Sequence, residues 1–308
     1  MKDKLVTLVG GGGFLGRYVA QALMAKGARV RIAQRRPRDA WFLKPLGGLG
    51  QSQFVAADVT LPETVANAVA GSYAVVNFAG TFDAGQYDAV HARGAGNVAN
   101  AAAAAGVEAM VHVSAIGADP ESPAAYGRSK AEGERRVRAA FPNATIVRPS
   151  ILFGREDQFV NRFAAMIAGK PVVPVLRGEA KFQPAWVVDA ADAVVAALAD
   201  VLGHGGRTYE LGGPDVLSMS EIFRWIARET GCNPSFIDLP DAVGGLIAML
   251  PLSPITGDQW RMLQVDNVVA PTGVGFDAFG IEPTPLAAAA PGWLVQYRRH
   301  GRFGALAA

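Results

Sequence analysis

The chain has 308 residues, half of them apolar, with 29 basic and 27 acidic side chains and a formal charge of +2. This excludes a disordered or fibrous chain, allows one large or two modest cores, and leaves no electrostatic footprint for a nucleic-acid partner. The single cysteine, Cys232, excludes an intrachain disulfide, and the four histidines lack ligand spacing, so a reducing cytoplasmic setting and no metal centre are expected.

In chain order, Leu5 to Gly16 reads LVTLVGGGGFLG, an apolar strand that runs through a glycine-rich turn into a helix. The apolar stretch is only about five residues long, too short for a secretion signal. Gly10, Gly13 and Gly16 fit GxxGxxG while Gly11, Gly13 and Gly16 fit GxGxxG, and Gly12 completes the run, so the first glycine of the motif stays open. Such a turn cradles a pyrophosphate: one glycine allows a tight turn, another close backbone approach, and the last lets helix and strand pack closely. The helix start, with Phe14 and Leu15, directs unpaired N–H groups at the anion. Strands follow at Ala28 to Ala33 and at Gln53 to Ala57, just before Asp58. Ala74 to Phe78 and Ala109 to Ser114 read as buried strands around an alanine-rich helix from about Tyr87 to Ala105. A helix over Tyr126 to Ala140 and a sixth strand over Ala144 to Pro149 complete the alternation.

Regular βα alternation predicts an α/β fold with a Rossmann-type doubly wound parallel sheet in residues 1–150. Residues 151–308 are expected to form a smaller α/β lobe for substrate or partner, interleaved with the first. Glycine and proline clusters at Gly169 to Pro174, Gly203 to Gly213 and Pro251 to Pro254 mark loops there. Helical patterns recur at Asp189 to Asp200, Ser220 to Glu229 and Asp241 to Leu250, with Ser220 and Asp241 as expected N-caps. The apolar segment from Ala242 is far short of the roughly 20 residues a bilayer span requires; burial in the second lobe is expected, with an exposed docking face as the alternative. The Ala287 to Ala290 run and the Gly304 to Ala308 end read as mobile low-complexity stretches.

Two stretches carry chemistry. About 20 residues past the glycines, a carboxylate would hold the ribose hydroxyls of NAD. The chain instead has AQRRPR, in which Arg35, Arg36 and Arg38 offer a guanidinium fork for the 2′-phosphate of NADP. NADP(H) is therefore favoured, with NAD(H) the alternative, and Asp58 with Val59 is placed at the adenine edge. In AYGRSK, Tyr126 and Lys130 stand four apart and share a helix face. A lysine ammonium beside a phenol eases phenolate formation, so Tyr126 can exchange a proton with a carbonyl or alcohol while hydride passes to or from nicotinamide. Ser114, at a strand end, can polarise the same substrate oxygen.

The glycine-rich turn, NFAG at Asn77 to Gly80, Ser114 and YGRSK together resemble the extended or atypical short-chain dehydrogenase/reductase superfamily. The resemblance implies that Phe78, Ala79 and Gly80 contact the cofactor, that Lys130 also binds its ribose, and that Pro149 and Ile151 lie towards the nicotinamide. His91 stands where extended members usually carry the first asparagine of VNVxGTxN. RPSILFGREDQFVNRFA from Arg148, KFQPAWVVD from Lys181 and LPLSPITGDQ from Leu250 are similar to the nucleotide-binding accessory subunit of respiratory complex I and its bacterial relatives. That resemblance implies tightly held NADPH and a stabilising role near the membrane, with complex I subunits as partners and a location peripheral to the cytoplasmic face of the inner membrane. Gln183 and Trp186 are expected to line a cleft or to pack. Trp293, Tyr297, Arg298, Arg299 and Arg302 form an aromatic and basic mixture suited to acidic headgroups or a protein partner, against the alternative of a plain solvated tail. An autonomous NADPH-dependent oxidoreductase, or an epimerase or dehydratase, and a redox sensor stay open beside the accessory role.

Overall fold

The computed structural model describes residues 1–249, 255–298 and 301. The loop at Pro251 to Pro254, Arg299, Arg302 and the Gly304 to Ala308 end fall outside the described residues. The chain divides into two compact units, the first formed by Met1–Pro149, Val187–Leu211 and Pro271–Glu282. Interleaving thus takes the form of two returns to the first unit.

The first unit holds one parallel sheet. Its strands are β1 (Leu5–Val9), β2 (Arg29–Gln34), β3 (Ser52–Ala56), β4 (Ala74–Asn77), β5 (Ala109–Val113), β6 (Thr145–Pro149) and β7 (Thr208–Leu211). The order is β7-β6-β5-β4-β1-β2-β3, every neighbouring pair parallel. Strands buried on both faces need continuous apolar runs, and β1 and β4 supply them: Val6, Leu8, Val75 and Val76 are fully buried. The order reverses between β1 and β4, the switch point beyond which such sheets bind ligands. Strand β7 lies in the glycine-rich stretch that the sequence marks only as loop; its burial alternates, with Tyr209 and Leu211 inward.

Helices cover both faces. Phe14–Ala25 (α1) follows β1, Pro62–Val69 (α2) follows β3, Ala95–Ala104 (α3) precedes β5 and Ala125–Ala140 (α4) precedes β6, while Val187–Ala199 (α5) packs on α1. Val65, Val98 and Val137 from α2, α3 and α4 meet Val75, Met110 and Ile146 of the sheet in one core. The expected helix from Tyr87 begins differently: Asp88–Gly94 is wound as a π turn before α3.

The second unit comprises Ser150–Trp186, Gly212–Ala270 and Pro283–Ala308. Its core gathers Phe153, Ile167, Val173, Ile222, Phe223 and Leu294. Helix Met219–Thr230 is capped by Ser218, not Ser220: the Ser218 hydroxyl accepts from the Glu221 N–H while the Glu221 carboxylate accepts from the Ser218 N–H. Helix Asp241–Met249 presents Val243 and Leu246 at the surface, so its apolar character is not all spent on burial. Trp186, Trp293 and Tyr297 pack against the second core and the Tyr297 hydroxyl donates to Asn161, which turns the aromatic part of the C-terminal mixture inward. Both ends of the Gln183 amide are engaged, its NH2 donating to Gly213 O at 2.8 Å and its carbonyl accepting from Val269 N–H at 2.9 Å.

Candidate cofactor and proton-transfer site

Gly10 is the residue of the turn that adopts positive φ, +79°, and so takes the tight-turn position that the sequence left open. Its N–H donates to Ala33 O, and a Cβ there would stand 3.3 Å from the backbone of Phe78 and Ala79. At Gly16 a Cβ would lie 2.7 Å from the Gly11 backbone, so the first turn of α1 packs directly on the loop. Gly13 is the N-cap of helix α1 and offers no side-chain cap, and the first turn holds no acidic residue, which leaves the helix's positive end open to an anion. These are the features a pyrophosphate cradle requires. Four donors of the turn are already engaged: Gly10, Gly11 and Gly13 N–H bond Ala33 O, Leu8 O and Gly10 O, and Gly12 N–H bonds the Gln34 carbonyl at 3.1 Å. Gln34 closes β2, and its NH2 in turn donates to Arg36 O.

Arg35 and Arg36 emerge exposed just beyond β2. The Arg36 guanidinium meets the Asp39 carboxylate at 2.9 Å, and Arg38 lies over Trp41. Asp58 is held in a local turn by the N–H and hydroxyl of Thr60; those two bonds, helped by the charge of Arg35, keep its carboxyl below the usual range. Val59 is buried and its carbonyl accepts from Asn97.

The loop after β4 brings the two motifs together. Phe78 N–H donates to Val9 O, Ala79 N–H to the Asn77 side chain, and a Cβ at Gly80 would lie 3.8 Å from Lys130 Nζ. Lys130 is buried, donates to Val113 O at 3.3 Å, and lies 5.9 Å from the Tyr126 ring centre. Burial pulls its ammonium down to about 8, against the nearby Glu134 charge, which raises it. The Tyr126 phenol is pushed up by burial and by Tyr87, so it is a neutral donor throughout the physiological range. Its ring stacks on Phe82 at 5.4 Å. Ser114 follows β5, its N–H bonded to Val147 O; its Oγ is buried and has no hydrogen-bond partner among the described residues. A buried hydroxyl of that kind is costly unless an incoming polar atom engages it.

Residues 10–16, 78–80, 126 and 130 are thus neighbours in one unit, as is Ser114 through the Val113 carbonyl. Pro149 is linked to the same strand end, its carbonyl accepting from Ile116 N–H. Ile151 belongs to the second unit, where it bonds Asn267 and Ala185.

Sequence reasoning missed several residues around this site. Asn77 bridges the Ala79 N–H and His112 Nδ1, and burial beside Lys130 drops the His112 imidazole to about 3. Glu134, buried one turn beyond Lys130, receives a two-pronged bond from Arg148 at 2.8 Å, and Arg148 also reaches Glu210. The signal for Glu134 was available, as a carboxylate on the inward face of α4.

Residues 6–212 match the model of the "NAD dependent epimerase/dehydratase family". The chain belongs to that family. Its nicotinamide-dinucleotide fold is therefore shown, and the structural likenesses agree. The NADPH-dependent quinone oxidoreductase QOR2 of Escherichia coli, complexed with NADPH, superposes with a TM-score of 0.76 at 22% identity, over 94% of this chain and 99% of that one. Triphenylmethane reductase of Citrobacter sp., complexed with NADP(H), gives 0.75 at 19% over 95% and 99%. Sequence relatives are nearer. "NADH dehydrogenase [ubiquinone] 1 alpha subcomplex subunit 9, mitochondrial" of Arabidopsis thaliana is 32% identical over 96% of this chain and 79% of its own length. The mouse protein of the same name is 33% identical over 92% and 77%, and a "Ceramide reductase" of Caulobacter vibrioides 33% over 77% and 74%. No helix among the described residues is long and apolar enough to cross a membrane.

Proposed function

We propose that this family member holds NADP(H) in its first unit and associates, as an accessory protein, with a respiratory NADH:quinone oxidoreductase at the cytoplasmic face of the membrane. The observation that carries the reading is the likeness to the alpha subcomplex subunit 9 proteins, which extends over nearly the whole chain rather than the nucleotide fold alone. The choice of NADP(H) rests on two arginines, Arg35 and Arg36, and an amide, Gln34, at the end of β2 where NAD binders place a carboxylate. In this reading the turn from Gly10 to Gly16 holds the pyrophosphate, Arg35 and Arg36 the 2′-phosphate, Asp58 and Val59 the adenine edge, and Phe78 to Gly80 with Lys130 the inner ribose. Pro149, at the end of β6, faces the nicotinamide end. Gentle isolation from native membranes, with identification of the bound nucleotide and the copurifying proteins, tests both halves. Migration only as a free species while the respiratory complex stays intact refutes the association.

A second reading is favoured by the intact Tyr126 and Lys130, by the Ser114 hydroxyl, which has no hydrogen-bond partner among the described residues, and by the Caulobacter relative's name. A bound NADPH would supply the hydride to a carbonyl carbon; Tyr126 would give its proton to the carbonyl oxygen, Lys130 would support it electrostatically and Ser114 would donate a hydrogen bond to the same oxygen. Under that reading Tyr126→Phe abolishes turnover and spares cofactor binding.

A further inference from the structure

His91 sits in the π turn before α3 and is 2% exposed. Its Nε2 lies 3.0 Å from Thr81 N–H, a group that only donates, so Nε2 is the acceptor. Nδ1 lies 2.9 Å from Ser129 Oγ, and that hydroxyl donates to Tyr126 O at 2.8 Å. The three bonds agree only for a neutral imidazole with its proton on Nδ1. Burial and the neighbouring Lys130 hold the ring neutral, down to about 3. The ring is wedged face to face with Tyr87 at 5.2 Å and edge-on to Tyr126 at 5.3 Å. Its two nitrogens therefore join different pieces of the site. Thr81 follows directly on Phe78 to Gly80, and Ser129 lies between Tyr126 and Lys130.

We propose that His91 is a positioning residue, which clamps the Phe78 to Thr81 loop onto α4 so that the dinucleotide meets a site already assembled. The proposal rests on the reading of Phe78 to Gly80 and Lys130 as cofactor contacts. A loop held in its bound arrangement before the ligand arrives loses less entropy on binding. An asparagine in place of His91 puts its amide nitrogen where Nδ1 is and reaches Ser129 alone. A glutamine puts its carbonyl where Nε2 is and reaches Thr81 alone.

The test is NADPH titration of the full chain by nucleotide fluorescence, with thermal midpoints of the unliganded proteins measured beside it. His91→Phe keeps the ring and loses both bonds; it should raise the NADPH dissociation constant about tenfold, while His91→Gln, which keeps the loop bond and loses the tie to α4, should raise it only about threefold. A general structural role moves the midpoints of the variants without this graded rescue. Ser129→Ala removes the imidazole's anchor on α4 with little volume change and should weaken binding about threefold or more, which serves where His91→Phe does not fold. Binding by either folded variant equal to that of the parent overturns the proposal. Failure of the parent itself to bind NADPH overturns instead the cofactor reading beneath it.

Discussion

Replacement of Arg36 by alanine separates a phosphate-reading guanidinium from a merely solvated one. The Arg36 side chain is 84% exposed and its partner Asp39 54%, so their 2.9 Å pair is worth only about 0.2–1 kcal/mol and is easily exchanged for a better anion. A charge-assisted bond to a phosphate contributes about 1.5–3 kcal/mol. The net loss in Arg36→Ala is then about 1–2 kcal/mol, or roughly 5- to 30-fold in the NADPH dissociation constant. NADH, which lacks the 2′-phosphate, should bind the two proteins alike, and Asp39→Asn should tighten NADPH slightly by removing the competitor. Isothermal titration with both nucleotides at low and moderate salt measures the ratio, the NADPH preference shrinking as salt screens the exposed contact. Equal weakening of NADPH and NADH in Arg36→Ala, or no change in either, refutes the assignment.

Three further outcomes follow from the geometry. Because Lys130 titrates near 8 in the fold against an ordinary 10.5, the unfolded chain holds a proton that the folded chain releases between those values; the stability of the parent should therefore rise relative to Lys130→Met as pH climbs through that window, and parallel urea midpoints would refute it. Glu134→Gln should destabilise by about 2–3 kcal/mol in urea unfolding, less than the roughly 3–5 kcal/mol of a wholly buried pair because Arg148 is 24% exposed and keeps Glu210; a loss under about 0.5 kcal/mol would show that the pair is idle. Gly10→Ala forces a side chain into positive φ against the Phe78 and Ala79 backbone, and should lower stability by about 1–2 kcal/mol and weaken dinucleotide binding, with unchanged titration and melting curves as the contrary result.

The sheet was readable because burial on both faces demands runs such as those of β1 and β4, and each of the first six strands lies within a residue of its expected bounds. Tyr126 and Lys130 were readable because four residues make one helical turn. Thr208–Leu211 was hidden, a short alternating strand between glycines whose identity depends on a partner some 60 residues earlier. His91 was visible only as a departure from a pattern, since its partners are 10 and 38 residues away and no local spacing announces them. The Ser218 cap, by contrast, was written plainly as Ser-x-x-Glu ending at Glu221; Ser220 merely stood nearer to the apolar run.

The seventh strand reaches its place last. Until residue 211 has left the ribosome, β6 has an open edge, and 62 residues separate Pro149 from Leu211. At ordinary synthesis rates that is a wait of roughly 3–12 s. During it the nascent sheet carries an unpaired parallel edge, the kind of template on which chains aggregate. A fragment cut at the end of β6 would keep that edge for good, whereas in the whole chain β7 takes over as the outer strand and its Glu210 N–H is met by Val274 O.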